Sequence, residues 1–233
     1  MRTFYISDIH GHYTALMKLL DWVKWNPEND QLILGGDLIN RGHDSARVLQ
    51  FAQTFQQKYP ENVHVLCGNH EEMMIWYLQN KSPMWLQHGG LETLHSLRQQ
   101  FGDAWKAAED YVSWLQTLPL VYEDEFAIYT HAGVNPSFSI KQQPREVLWM
   151  TLRDVMVQDH NKLSKWSDGK RIFRGHSPVR TVHTKGAYTH CDLGMGVLPS
   201  FEAALALVNV NEGVYFRCRM EGIITRHSIE NLP

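Results

Sequence analysis

Cysteine is scarce in this chain. The three present, Cys67, Cys191 and Cys218, are odd in number and show no Cys-x-x-Cys spacing. Neither a disulfide framework nor a thiolate zinc site is indicated, and the three read as core thiols in strands. No apolar run reaches the ~18 residues that a membrane-crossing helix needs. No long apolar leader follows Met1-Arg2, so a soluble, cytoplasmic protein is expected. An excess of basic residues is missing too. Lys and Arg number 22 against 25 Asp and Glu, a net charge of -3, and the cations are scattered. Duplex DNA or RNA is therefore not the expected partner. There is no internal repeat, low-complexity tract or long polar linker, so one domain over residues 1–233 is expected. What is present suits such a domain: 43% hydrophobic content and eight tryptophans are enough for a substantial core.

Periodicity then assigns the elements. A strand over Thr3 to Ser7 precedes a helix from about Tyr13 to Lys24, in which Leu16, Leu19, Leu20 and Val23 form one apolar face. A second strand, Gln31 to Leu34, leads to a helix capped by Asp44 or Ser45 and carrying Val48, Phe51, Ala52 and Phe55 on one side. A third strand, Val63 to Leu66, leads to a helix over Glu71 to Leu78. Three strand-helix units with short links favour parallel strands and right-handed crossovers. From Pro83 to Leu118 the chain reads as a helical insertion, a candidate lid or recognition cap. Strands return from Val121, interrupted by one helix from about Pro144 to Gln158, and Asn211-Glu212-Gly213 has hairpin spacing.

Five turns share one grammar: Asp or His stands just past an apolar run, beside glycine. They are Ser7-Asp8-Ile9-His10-Gly11, Gly35-Gly36-Asp37, Gly68-Asn69-His70, Thr130-His131-Ala132-Gly133 and Arg174-Gly175-His176. Strand ends in open α/β sheets are where ligands bind. Asp8 and His10, two apart in an extended segment, would leave the same face and grip one ion, and Asp37 is a carboxylate able to bridge two. With Asn69, His131 and His176 the set is oxygen and imidazole without sulfur, the chemistry of manganese, iron or zinc pairs. Two ions ~3.5–4 Å apart can clamp the attacking and leaving oxygens of a phosphoryl displacement. Arg41 offers a forked donor to phosphate, and His70 is placed to protonate a leaving oxygen.

In order along the chain, Asp8-x-His10, Gly36-Asp37-Leu38-Ile39-Asn40-Arg41-Gly42, Gly68-Asn69-His70-Glu71, His131-Ala132-Gly133 and Gly175-His176-Ser177-Pro178 resemble the motifs of the phosphoprotein phosphatase family of metallophosphoesterases. The likeness is to its small bacterial and phage branch, which includes protein phosphatases and symmetrical dinucleoside tetraphosphate hydrolases. It implies an α/β (α+β) fold, a two-sheet β-sandwich flanked by helices, and direct hydrolysis on a dimetal site without a phosphoenzyme. Asp8, His10 and Asp37 would hold one ion. Asp37, Asn69, His131 and His176 would hold the other. His70 would be the general acid and Arg41 a phosphate clamp.

The chain departs from the family pattern twice. Asn40 stands where the family has the aspartate that supports the catalytic histidine. The family's second phosphate-binding arginine follows a tryptophan by two positions, but Trp149 is followed by Met150 and Thr151. A helix over 149–158 would bring Arg153 to the face of Trp149 as the substitute clamp. His88 is read as a turn residue, and His190-Cys191-Asp192 as the end of a buried strand. The expected function is a dimetal-dependent phosphatase with manganese as first choice of ion, acting on phosphoserine or phosphothreonine proteins and also on phosphotyrosine. The alternatives are hydrolysis of dinucleoside polyphosphates, and a non-catalytic protein that binds metal and a phosphorylated ligand.

Overall fold

The computed structural model describes residues 1–231, apart from the His160 side chain. Twelve strands are described: β1 (Arg2–Ile6), β2 (Asp30–Leu34), β3 (Val63–Val65), β4 (Val121–Glu123), β5 (Ala127–Thr130), β6 (Arg171–Arg174), β7 (His183–Lys185), β8 (Tyr188–His190), β9 (Ala204–Asn209), β10 (Val214–Arg219), β11 (Ile224–Ser228) and β12 (Glu230–Asn231). They form two six-stranded sheets, ordered β11-β10-β9-β1-β2-β3 and β12-β7-β8-β6-β5-β4. The α-helices are α1 (Tyr13–Trp22), α2 (Ser45–Lys58), α3 (Asn69–Leu78), α4 (Leu91–Phe101), α5 (Ala104–Leu115), α6 (Leu152–Met156) and α7 (His160–Trp166).

The alternation of side chains along a strand decides how the layers stack. In β1, Phe4 and Ile6 face the cluster under the helices, whereas Tyr5 faces the second sheet; β2 repeats this with Leu32 and Leu34 against Ile33. Between the sheets Tyr5 stacks on Tyr129, ring centres 5.8 Å apart, and its hydroxyl donates to Thr130 O at 2.8 Å. A third cluster, including Ile128, Ile172, Val155 and Leu163, packs α6 and α7 on the outer face of the second sheet. The layers therefore run helix, sheet, sheet, helix. β1, β2 and β3 are parallel, as their crossover helices require, while β9 to β11 are antiparallel.

The helical stretch after Pro83, expected as an insertion, packs partly into the main core. Leu97, Ala107, Ala108, Val112 and Leu115 belong to the main core together with α1 and α2 residues. Leu91, Phe101 and Trp105 of the same stretch stay exposed, and the wide helical turn Leu86–Gly90 runs directly into α4. The single helix expected over 144–158 is also broken. A short 3-10 turn, Arg145–Trp149, stops at Met150, whose ψ of 114° is extended. Thr151 then caps α6, accepting from Asp154 N while the Asp154 carboxylate accepts from Thr151 N. Asp44 does not cap α2 through its side chain, and the Ser45 hydroxyl instead accepts from Asn40 N at 3.1 Å. The three cysteines are buried and free. The last two strands are separated by Ile229 alone, yet β11 is the edge of one sheet and β12 the edge of the other.

Candidate active site at five converging loops

The loops after β1, β2, β3, β5 and β6 meet at one end of the sandwich, held together by their backbones. Asp8 N donates to Gly36 O, His10 N to Asp37 O and Gly11 N to Leu38 O, at 2.9–3.1 Å. The Gly36 and Gly68 loops touch so closely that a Cβ on Gly36 would lie 2.6 Å from Gly68 N. Gly36 also has φ +84°, so only glycine meets both demands there. Glu71, unassigned in the sequence reading, is the clamp. Its fully buried carboxylate accepts from Asp37 N, Gly68 N and Leu38 N, each at 2.8 Å, and from Ile39 N at 3.4 Å. Its position in the first turn of α3 puts the charge at the favourable end of the helix dipole. The sequence signals for it were the acidic start of that helix and its place in the Gly68-Asn69-His70-Glu71 motif.

Asp8 and His10 are not in an extended segment as expected, since both have positive φ, 54° and 45°. Two residues of that backbone turn do not share a face by strand alternation, and their placement comes from the loop contacts instead. Asp8 accepts from His176 N at 3.0–3.1 Å. His10 Nδ1 lies 2.9 Å from Ile39 O; a carbonyl only accepts, so Nδ1 carries the proton and the Nε2 lone pair points into the site. His131 is oriented the same way by Gly35 O at 3.0 Å. Asp37 stands between them, Oδ2 3.6 Å from His10 Nε2 and Oδ1 3.4 Å from His131 Nε2. Two groups of donor atoms result, His10 with Asp37 and His70, and Asp37 with His131 and His176, each within 4.8 Å. Asp8 lies outside both groups.

Asn69 Oδ1 is 2.9 Å from His131 Nε2 and 3.0 Å from His176 Nδ1. Acceptor atoms converging in this way are stable around a cation; the rotated amide would instead donate to both rings and to Asp37. Electrostatics points the same way. Burial, then the charges of Asp8 and Glu71, pushes Asp37 well above the usual carboxylate range. Burial, then Arg41, pushes His10 well down; burial lowers His131; and burial, then His131, takes His176 to about 3. Buried carboxylates with neutral imidazoles are a donor set that a divalent cation satisfies, so the residues present fit a metal pair.

At the rim, Arg41 Nη1 is 2.9 Å from His10 Nε2 and Nη2 is 3.2 Å from His70 Nε2. His70 is nearly buried, and Asn40 is completely so; Asn40 Nδ2 lies 2.6 Å from His70 Nδ1. Arg153 does not join them. It is exposed on α6, on the far side of the break at Met150, and makes no side-chain hydrogen bond or ion pair among the described residues. Trp149 turns to α3, stacking on Trp76 and donating to Glu72 at 2.6 Å. Arg145, overlooked in the sequence, pairs with Glu72 and reaches Cys67 Sγ at 3.6 Å. His88 is a turn residue whose Nδ1 meets Met84 O at 2.9 Å. His190 closes β8, with Cys191 and Asp192 buried behind it.

Comparison with known proteins fits this arrangement. The symmetrical bis(5'-nucleosyl)-tetraphosphatase of Erwinia tasmaniensis is 33% identical over 144 residues, covering 60% of this chain and 47% of the relative. That of a Marinomonas species is 31% identical over 180 residues, 72% of this chain and 60% of the relative. The matches thus span about half to three-fifths of the length of those proteins. A Saccharomyces cerevisiae protein serine/threonine phosphatase has the same fold, with a TM-score of 0.66 at 17% identity, covering 100% of this chain and 81% of that one. The model of the calcineurin-like phosphoesterases matches residues 1–211, and the chain belongs to that metallophosphoesterase family.

Proposed function

We propose that this protein hydrolyses a phosphoanhydride bond of dinucleoside polyphosphates with the help of two divalent ions. The observation that carries this reading is the likeness to proteins named symmetrical tetraphosphatases, at 31–33% identity over 60–72% of the chain. It favours the dinucleoside alternative over the phosphoserine and phosphothreonine proteins expected from sequence. In this reading His10, Asp37, Asn69, His131 and His176 would hold the two ions, Asp37 being shared by both donor groups, and Asp8, which lies outside those groups, would complete the set. Bound there, the ions would supply Lewis-acid charge to the phosphate and lower the pKa of a water.

The protein's own residues do the rest. Gly35 O and Ile39 O hold two imidazoles with their lone pairs inward. Arg41, on a backbone with φ +68°, presents its forked donors across the mouth of the site, where they pair with non-bridging phosphate oxygens. His70 Nε2 lies at the same mouth and faces the leaving oxygen. The experiment is turnover of diadenosine tetraphosphate, a phosphoserine peptide and an aryl phosphate by manganese-loaded protein. Two molecules of ADP per tetraphosphate, at the highest kcat/KM of the three, is the expected result. A dominant phosphopeptide rate would restore the protein phosphatase reading, and no turnover of any substrate would leave a binding protein.

A further inference from the structure

We propose that Trp85 and Thr93, both from the helical stretch after Pro83, lock the Asn40 amide so that His70 is held with its proton on Nε2 and none on Nδ1. Asn40, Trp85 and Thr93 are all fully buried. Asn40 Oδ1 lies 2.9 Å from Trp85 Nε1 and 2.8 Å from Thr93 Oγ1. An indole nitrogen can only donate, so the amide oxygen must face Trp85. The amide NH2 must then face His70, whose Nδ1 is 2.6 Å away. Turning the amide would set NH2 against the indole N–H and leave a buried donor unpaired, at a cost of ~1–3 kcal/mol. His70 Nδ1 is therefore an acceptor. Arg41 Nη2, 3.2 Å from Nε2, also donates; it is half-buried and its contact is the longer one, so it is the contact that yields when Nε2 carries the hydrogen.

A carboxylate at position 40 would do the opposite, accepting from Trp85, Thr93 and a His70 Nδ1–H together and stabilising the imidazolium that a proton-donating acid requires. With the amide, His70 presents a fixed Nε2–H donor that hydrogen-bonds to the leaving oxygen and keeps its proton. Such a site suits a leaving group that departs as a stable anion. In anhydride hydrolysis the water oxygen bonds to phosphorus and the bridging P–O bond breaks. The nucleoside diphosphate leaves with the bond pair, and the water's protons go to solvent. A serine alkoxide needs the proton that this histidine withholds. The inference rests on the proposed function for its substrate but not for the lock itself. Asn40, Trp85 and Thr93 are positioning residues that act through His70.

The test begins with ring 15N spectra of histidine-labelled, metal-free protein at neutral pH. The expected signature is Nε2–H with a bare Nδ1 on His70 in the wild type, Nδ1–H in Asn40→Asp, and a mixture in Trp85→Phe, where the amide is free to turn. Manganese-loaded Asn40→Asp should then raise the ratio of alkyl to anhydride turnover by at least about tenfold, the low end of what a proton donor contributes being larger still. A wild-type spectrum with Nδ1–H overturns the lock, even if neither variant folds. A switched tautomer with an unchanged turnover ratio overturns the leaving-group consequence. If dinucleoside tetraphosphate is not hydrolysed but the spectra are as expected and the alkyl to aryl ratio shifts, the lock stands and the proposed substrate falls.

Discussion

Replacing Glu71 by Gln tests whether one side chain holds the catalytic loops together. The change keeps size, helix propensity and one acceptor oxygen, but puts an NH2 where a carboxylate oxygen received two backbone N–H groups. Of the four contacts, three are 2.8 Å and one is 3.4 Å, so at least one short charge-assisted bond is lost on either amide orientation. Such bonds contribute ~1.5–3 kcal/mol each, and the opposed donors are left unpaired. Part of this loss is offset because burial raises the Glu71 pKa, meaning that the ionised group is itself costly to bury. A net destabilisation of about 3 kcal/mol is expected. With a urea m-value of roughly 2–3 kcal/mol/M, the unfolding midpoint of the metal-free protein should fall by about 1–1.5 M. A shift below about 0.3 M, with wild-type catalysis, would refute the clamp.

Asp37→Asn should abolish activity and reduce metal content below two ions per chain, read by elemental analysis; full occupancy with a near-normal rate would remove the dimetal assignment. Arg41→Ala should lower kcat/KM by roughly 10–100-fold, the worth of a charge-assisted phosphate contact, whereas Arg153→Ala should leave the kinetics unchanged, because Arg153 is exposed beyond the break at Met150. Stability of the metal-free protein should fall as pH falls. Burial, with His131 and Arg174 as the next causes respectively, takes His176 and His190 to about 3. Unfolded imidazoles protonate near 6.5. Between about pH 6 and 4 these two imidazoles hold up to two protons in the unfolded chain that they lack in the folded one, ~1.4 kcal/mol per proton per pH unit, an effect opposed in part by the raised, buried Asp37 and Glu71 carboxyls and reinforced by the lowered His10 and His131. Equal urea midpoints at pH 7 and pH 5 would contradict this.

What could be read from sequence follows from how local each determinant is. Leu16, Leu19 and Leu20 announce α1 by spacing alone, and the apolar runs ending at Asp8, Asp37 and Asn69 announce strand ends because a buried parallel strand is apolar on both faces. The ligand types were legible for the same reason, being tied to those ends. Asp8 and His10 come together not through strand alternation, which their positive φ excludes, but through closely fitted loops, which leave no periodicity in the sequence. Residues 144–158 defeated the reading because a Thr151–Asp154 capping box restarts the chain two residues after Trp149. The role of Asn40 was half visible. Its identity departs from the family pattern, but which way its amide points depends on Trp85 and Thr93, 45 and 53 residues away. The short strands β7 and β12 and the helix α7 have too few residues for any pattern to emerge.

The single residue between β11 and β12 has a mechanical meaning. Ile229 N donates to Gly213 O in the hairpin of the first sheet, and Glu230 N to Val182 O beside the second, at 3.0 and 3.3 Å. The final segment therefore crosses the open side of the sandwich like a stitch, with no slack for one sheet to slide past the other. One edge of each sheet is thus formed by this same stretch of chain, β11 for the first and β12 for the second, so the two edge pairings are tied to one another through Ile229.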